Sequence, residues 1–126
     1  MPYRVSKAQF GQLVQQTLAE IPQPFKEMLE EVAIEVLDRP TPELLKRAHL
    51  RGGGTLLGLY VGHPRTQRSV QDSGIAPDVI YIFKEPIESV SRGPGDLSRQ
   101  IRVTVLHEIG HHFGMDEDDL DKLGYR

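Results

Sequence analysis

The chain has 126 residues, enough for one compact domain and too few for a second independent core, so residues 1–126 are expected to form a single domain. Apolar residues make up 38% and fall in periodic blocks, which argues against disorder, while a net charge of -3 with both signs interspersed leaves no basic surface for a run of phosphates and excludes nucleic acid as an expected partner. The absence of cysteine removes disulfides, thiolate metal sites and cysteine nucleophiles together, so a transition-metal site must be built from His and carboxylates.

Taken in chain order, Met1 to Lys7 lacks the apolar segment of a leader, and no apolar run is long enough to cross a bilayer. A soluble cytoplasmic protein with no membrane partner, monomeric by default, is the expectation. Ser6 can cap a helix carrying Phe10, Leu13, Val14 and Leu18 at helical spacing, which ends before Ile21-Pro22-Gln23-Pro24. A shorter helix is expected from Pro24 to Glu30, followed by a strand over Val32 to Leu37 that Asp38-Arg39-Pro40 stops. Pro42 can open a helical turn before the loop Arg51-Gly52-Gly53-Gly54. Leu56 to Val61 reads as a strand, a polar loop runs from His63 to Pro77, and Asp78 to Phe83 is the clearest strand, rich in β-branched and aromatic residues, with Pro86 ending that run. Asp96 can cap a helix whose Leu97, Ile101, Val105, Ile109 and Phe113 recur every fourth residue as one buried stripe. Gly114 stops it, and a short terminal helix is expected from Asp116 toward Leu123.

The chemistry lies in that long helix. His107-Glu108-Ile109-Gly110-His111 fits H-E-x-x-H, and the apolar stripe independently makes the segment helical, which is the context the motif requires. At i and i+4, two imidazoles project from neighbouring turns of one face and can reach a single zinc ion. At about 100° per residue, His107 and His111 lie away from the stripe, facing a cleft or a second layer. Glu108 sits between the two ligand directions, where its carboxylate can take a proton from a metal-activated water and pass it to a leaving amine. Two unrelated histidines on a surface helix would leave Gly110 and Gly114 without a reason in a helix that prefers Ala.

A third protein ligand is needed, and Asp116-Glu117-Asp118-Asp119 supplies candidates. Asp116 is placed to cap the terminal helix, which would occupy its oxygens and leave Glu117 freer; Asp118 stays open, and the whole run also reads as a solvated acidic helix start. His112 points by the angular count into the apolar stripe and reads as a core or supporting histidine. His49 and His63 read as surface residues, and Tyr60, Tyr81 and Tyr125 are assigned no role.

With these residues in view, the segment from His107 to Glu117 resembles the minimal zincin-like metallopeptidases of bacteria, whose pattern is H-E-x-x-H-x-x-G-x-x-D. The likeness extends to an N-terminal helix, the Val32 to Leu37 strand, the block Leu57-Gly58-Leu59-Tyr60-Val61-Gly62-His63-Pro64 and the Pro77 to Phe83 strand. At the last motif position the family's Asp is Glu117 here, a longer carboxylate that can still bind zinc. The resemblance implies an α+β fold: a small mixed β-sheet packed against an N-terminal helix and the active-site helix. It also implies an edge strand that pairs with an extended peptide, for which Val79 to Phe83 is the candidate, although its continuous apolar character equally suits an interior strand. A metzincin Met-turn is not expected.

The expected function is zinc-dependent peptide hydrolysis, with His107, His111 and Glu117 as metal ligands, Glu108 as general acid/base, and a peptide or protein as substrate. Two alternatives stand beside it: a non-catalytic binding module stabilised by zinc, and a regulatory peptidase restricted to one partner protein.

Overall fold

The computed structural model describes residues 2–48, 56–62, 78–114 and 118. The expected Arg51 to Gly54 loop, the loop from His63 to Pro77 and, apart from Asp118, the terminal helix from Asp116 lie outside them. Helix α1 spans Lys7–Ala19 and begins as its sequence dictates, with a capping box in which the Gln9 amide donates to Ser6 Oγ and the Ser6 amide to Gln9 Oε1, both at 3.1 Å. Phe10, Val14 and Thr17 form its buried face. Helix α2 is Phe25–Leu29 and strand β1 is Val32–Leu37. Thr41 caps helix α3, Pro42–Arg47, through the Leu44 amide at 3.1 Å, with Pro42 in the first turn. Strand β2 is Gly58–Val61, shorter at its start than the Leu56 to Val61 expectation, and strand β3 is Asp78–Phe83.

Helix α4, Lys84–Ser89, follows β3 directly. From sequence, Pro86 is only a stop signal for the strand. In the structure it occupies the first turn of α4, where an amide has no intrahelical partner, so the ring costs no hydrogen bond. Helix α5 is Pro94–His112, so Asp96 lies inside its first turn and is not its cap. The Asp96 carboxylate instead accepts the Arg92 amide at 3.0 Å and an Arg99 guanidinium bond at 3.0 Å. These two partners, the Arg92 amide foremost, hold the carboxyl below its ordinary range.

The three strands form one sheet in the order β1-β3-β2, with β1 parallel and β2 antiparallel to β3. β3 is therefore central, and the expectation that Val79 to Phe83 forms the edge is corrected. Its burial explains the apolar run: Ile80, Ile82 and Phe83 are fully buried, and a strand flanked on both sides needs little polar surface. Among the described residues, β2 is an edge. Helix α5 lies across the sheet and also packs against α1, α2 and α4. Its Leu97, Ile101, Val105, Leu106 and Ile109 are all fully buried beside Phe10, Phe25 and Ile80. Phe113, expected as the last member of the stripe, is 48% exposed, because α5 ends at His112 and the chain there has run past the core. Gly114 follows at φ 84°, the left-handed conformation expected after the helix. Fold class is therefore α+β as expected. No helix among the described residues is long and apolar enough to cross a membrane.

Candidate active site

Five buried apolar residues fix the rotation of α5 about its axis, and that rotation decides where its polar residues point. Thr104 and Glu108 are turned toward β2, the first buried and the second half-buried, and His107 between them in sequence is also half-buried. The approach to β2 is close. A Cβ added at Gly58 would lie 2.5 Å from Thr104 Cγ2 and 3.0 Å from the Tyr81 carbonyl oxygen, so the strand sits against the helix at that point only because residue 58 has no side chain. Gly58→Ala is accordingly expected to lower stability by about 1–3 kcal/mol through overpacking. Adding Thr104→Ser, which deletes the clashing methyl and keeps the hydroxyl, should recover part of that loss in denaturant unfolding.

The register decides which backbone groups of β2 are available. The Phe83 amide donates to the Leu57 carbonyl at 3.0 Å, and the pairing places Leu59 opposite Tyr81 and Val61 opposite Val79. Because hydrogen-bonded pairs alternate in an antiparallel ladder, Leu57, Leu59 and Val61 bond to β3, while the amides and carbonyls of Gly58 and Tyr60 face outward. Into this outward row comes Glu108: its Oε1 accepts the Tyr60 N–H at 2.9 Å. The Glu108 carboxylate is thus tethered to the outward edge of β2.

Tyr60 itself is built into the site. Its hydroxyl donates to Asp78 Oδ2 at 2.9 Å, and its ring stacks on His112 with centroids 3.9 Å apart and planes 12° from parallel. Asp78 is buried. His112 is exposed at the end of α5 and covers Tyr60, so of the two expectations, a core or a supporting histidine, the core one is corrected: at the last residue of the helix, the stripe no longer has core to face. Gly62 leaves room for this stack, since a Cβ there would lie 3.3 Å from Tyr60 Cε1 and 3.5 Å from His112 Cε1. Sequence reasoning gives Tyr60 no role, and no local pattern could have found it, because its part depends on the outward register of β2 and on the reach of Glu108.

Of the expected metal ligands, His107 is half-buried on α5 with its Nε2 atom buried. His111 continues the same helix one turn on, its side chain lying outside the described atoms. Glu117 and Asp116 lie outside the described residues, and Asp118 is exposed. Among the described residues no three His, Asp or Glu side chains group together as a metal site. The expected set reaches beyond them, through His111 and Glu117.

A helix carrying H-E-x-x-H thus lies under the outward side of a mixed-sheet edge. A family model described as zincin-like metallopeptidase matches residues 29–125. The chain belongs to this family. The zincin-like match takes in the whole sheet and α5, and omits α1, which nonetheless packs on α5. A solved structure of a conserved hypothetical protein from Thermus thermophilus is similar at a TM-score of 0.54 and 25% identity, covering 94% of this chain and 97% of that one. No curated protein gave a significant match.

Proposed function

We propose that this chain is a zinc-dependent peptidase in which His107, His111 and Glu117 hold the metal and Glu108 is the general acid/base. The observation that carries this reading is the position of Glu108: half-buried on the H-E-x-x-H helix, with one carboxylate oxygen on the outward amide of Tyr60 at 2.9 Å. A group that must accept a proton from water and deliver it to a leaving amine has to sit beside the bound peptide's main chain, and the β2 edge is where an extended peptide would lie.

The donor set fits zinc. Imidazole nitrogens and a carboxylate are ordinary zinc ligands in a chain without thiols, and the His107 Nε2 atom is sheltered from water. When bound, zinc would supply an acidified water and polarise the substrate carbonyl. The residues of the chain do the rest. Glu108 holds and moves the proton, Tyr60 fixes one Glu108 oxygen, and the Asp78 and His112 contacts hold Tyr60 in place. Glu117 is the first candidate for third ligand, with Asp116 and Asp118 as the alternatives.

Elemental analysis of the purified protein tests the metal assignment. The expected result is bound zinc in the wild type, its loss in His107→Ala and in His111→Ala, and a Tm lowered by about 5–10 °C on chelation. A wild-type protein that takes up no zinc from a supplemented buffer would overturn the assignment. Stoichiometric zinc with no hydrolysis of any peptide would favour a binding module held together by its metal.

A further inference from the structure

Beside β2 runs a groove of about 510 Å³, lined by Lys46 and Arg47 on one wall and by Leu59, Tyr60, Val61 and Gly62 on the other. The two cations come from the last turn of α3 and are exposed, and neither forms an ion pair with a described carboxylate. Glu43, the acidic residue of the same helix, lies in its first turn and does not line the groove. The chain as a whole is negative, at -3, so this wall is a local reversal of sign along the edge next to Glu108.

We propose that this groove selects extended peptides with acidic side chains, Lys46 and Arg47 acting as specificity determinants; the inference rests on the peptidase reading above. The Gly58 amide and carbonyl and the Tyr60 carbonyl face outward, the Tyr60 amide being taken by Glu108, so a strand laid along β2 places its side chains alternately on the α5 face and on the opposite one. Leu59 and Val61 point away from α5, since their neighbours Gly58 and Tyr60 point toward it, and they line the groove together with Lys46 and Arg47. Every second side chain of the added strand therefore enters a space with an apolar floor and a cationic wall. Asp or Glu at those positions gains charge-assisted hydrogen bonds, with the Arg47 fork able to hold a carboxylate through two of them. Lys or Arg there meets like charge. A volume of this size accommodates a few residues of peptide, within the range of about 300–1,000 Å³ usual for binding clefts.

Binding and cleavage are best separated by using the zinc-loaded Glu108→Gln chain with fluorescent peptides of equal length that are acidic, neutral or basic at alternate positions. Acidic peptides are expected to bind about tenfold more tightly than neutral ones, with the advantage shrinking as salt is raised. Lys46→Glu with Arg47→Glu should invert the preference. Lys46→Ala with Arg47→Ala should abolish it without placing new charge at the end of α3. Equal binding of the three series, a preference that survives both double variants, or no peptide binding at all would each overturn the proposal. Acidic preference in binding without hydrolysis by the wild type leaves it standing and removes the peptidase reading, whereas hydrolysis without charge preference does the reverse.

Discussion

Glu108→Gln is expected to lower peptide hydrolysis by about 10²- to 10⁴-fold while leaving bound zinc unchanged, the range for losing a positioned general acid/base. The substitution is nearly isosteric and can keep one contact that matters for structure, since the Gln carbonyl oxygen can accept the Tyr60 N–H that Glu108 Oε1 accepts now. What it removes is the ability to take up and release a proton near neutral pH. Metal content should then separate the two kinds of loss: His107→Ala falls in zinc and activity together, and Glu108→Gln in activity alone. Full activity in Glu108→Gln would exclude the mechanism.

The second large effect is expected far from that site, at Glu88. Its side chain is 1% exposed, and Oε2 takes the Lys84 ammonium at 3.0 Å and the Val5 amide at 2.8 Å. Oε1 faces Arg4 Nη1 at 3.9 Å and accepts no hydrogen bond. The Glu88 carbonyl also accepts the Tyr3 amide at 3.3 Å, so one residue of α4 ties down the segment that leads into α1. Glu88→Ala leaves Lys84, itself 12% exposed, without its counter-charge and strands the Val5 amide, a change expected to cost about 3–5 kcal/mol in denaturant unfolding. A paired Glu88→Leu and Lys84→Met variant removes both charges and should recover most of the loss, because a buried ion pair often contributes little net stability over an apolar pair. If Glu88→Ala alone unfolds within about 1 kcal/mol of wild type, as judged against the roughly 0.5 kcal/mol usual for surface changes, the carboxylate does not anchor the N-terminal segment.

Local pattern suffices for much of this molecule. Val32 to Leu37 and Asp78 to Phe83 are strands over the residues their alternation and β-branching indicate, Ser6 caps α1, and the apolar stripe places the H-E-x-x-H segment on a helix with Gly114 beyond its end. Pairing is a different matter. Strand order depends on which distant segments meet, and the apolar block of β3 reads the same at an edge as in the centre until β1 and β2 are seen on either side of it. Phe113 and the core reading of His112 depart from expectation because periodicity gives direction about the helix axis but not the point at which the core stops. Tyr60 is hidden for the same nonlocal reason: its amide becomes part of the site only through the register of β2 and a side chain 48 residues away.

The tether between Glu108 and Tyr60 also bears on whether copies of the chain stay apart. An outward-facing row of amides and carbonyls is a template for sheet extension between molecules, and proteins blunt such rows with short strands, inward-pointing charges and interruptions. β2 carries all three: it is four residues long, it begins and is followed by a glycine, and its central amide is already occupied by a carboxylate from α5. Replacing Glu108 by Ala would therefore free the Tyr60 amide as well as remove the proposed base, and self-association is expected to accompany the loss of turnover. The carboxylate that we propose as the base would then also limit pairing of β2 between molecules.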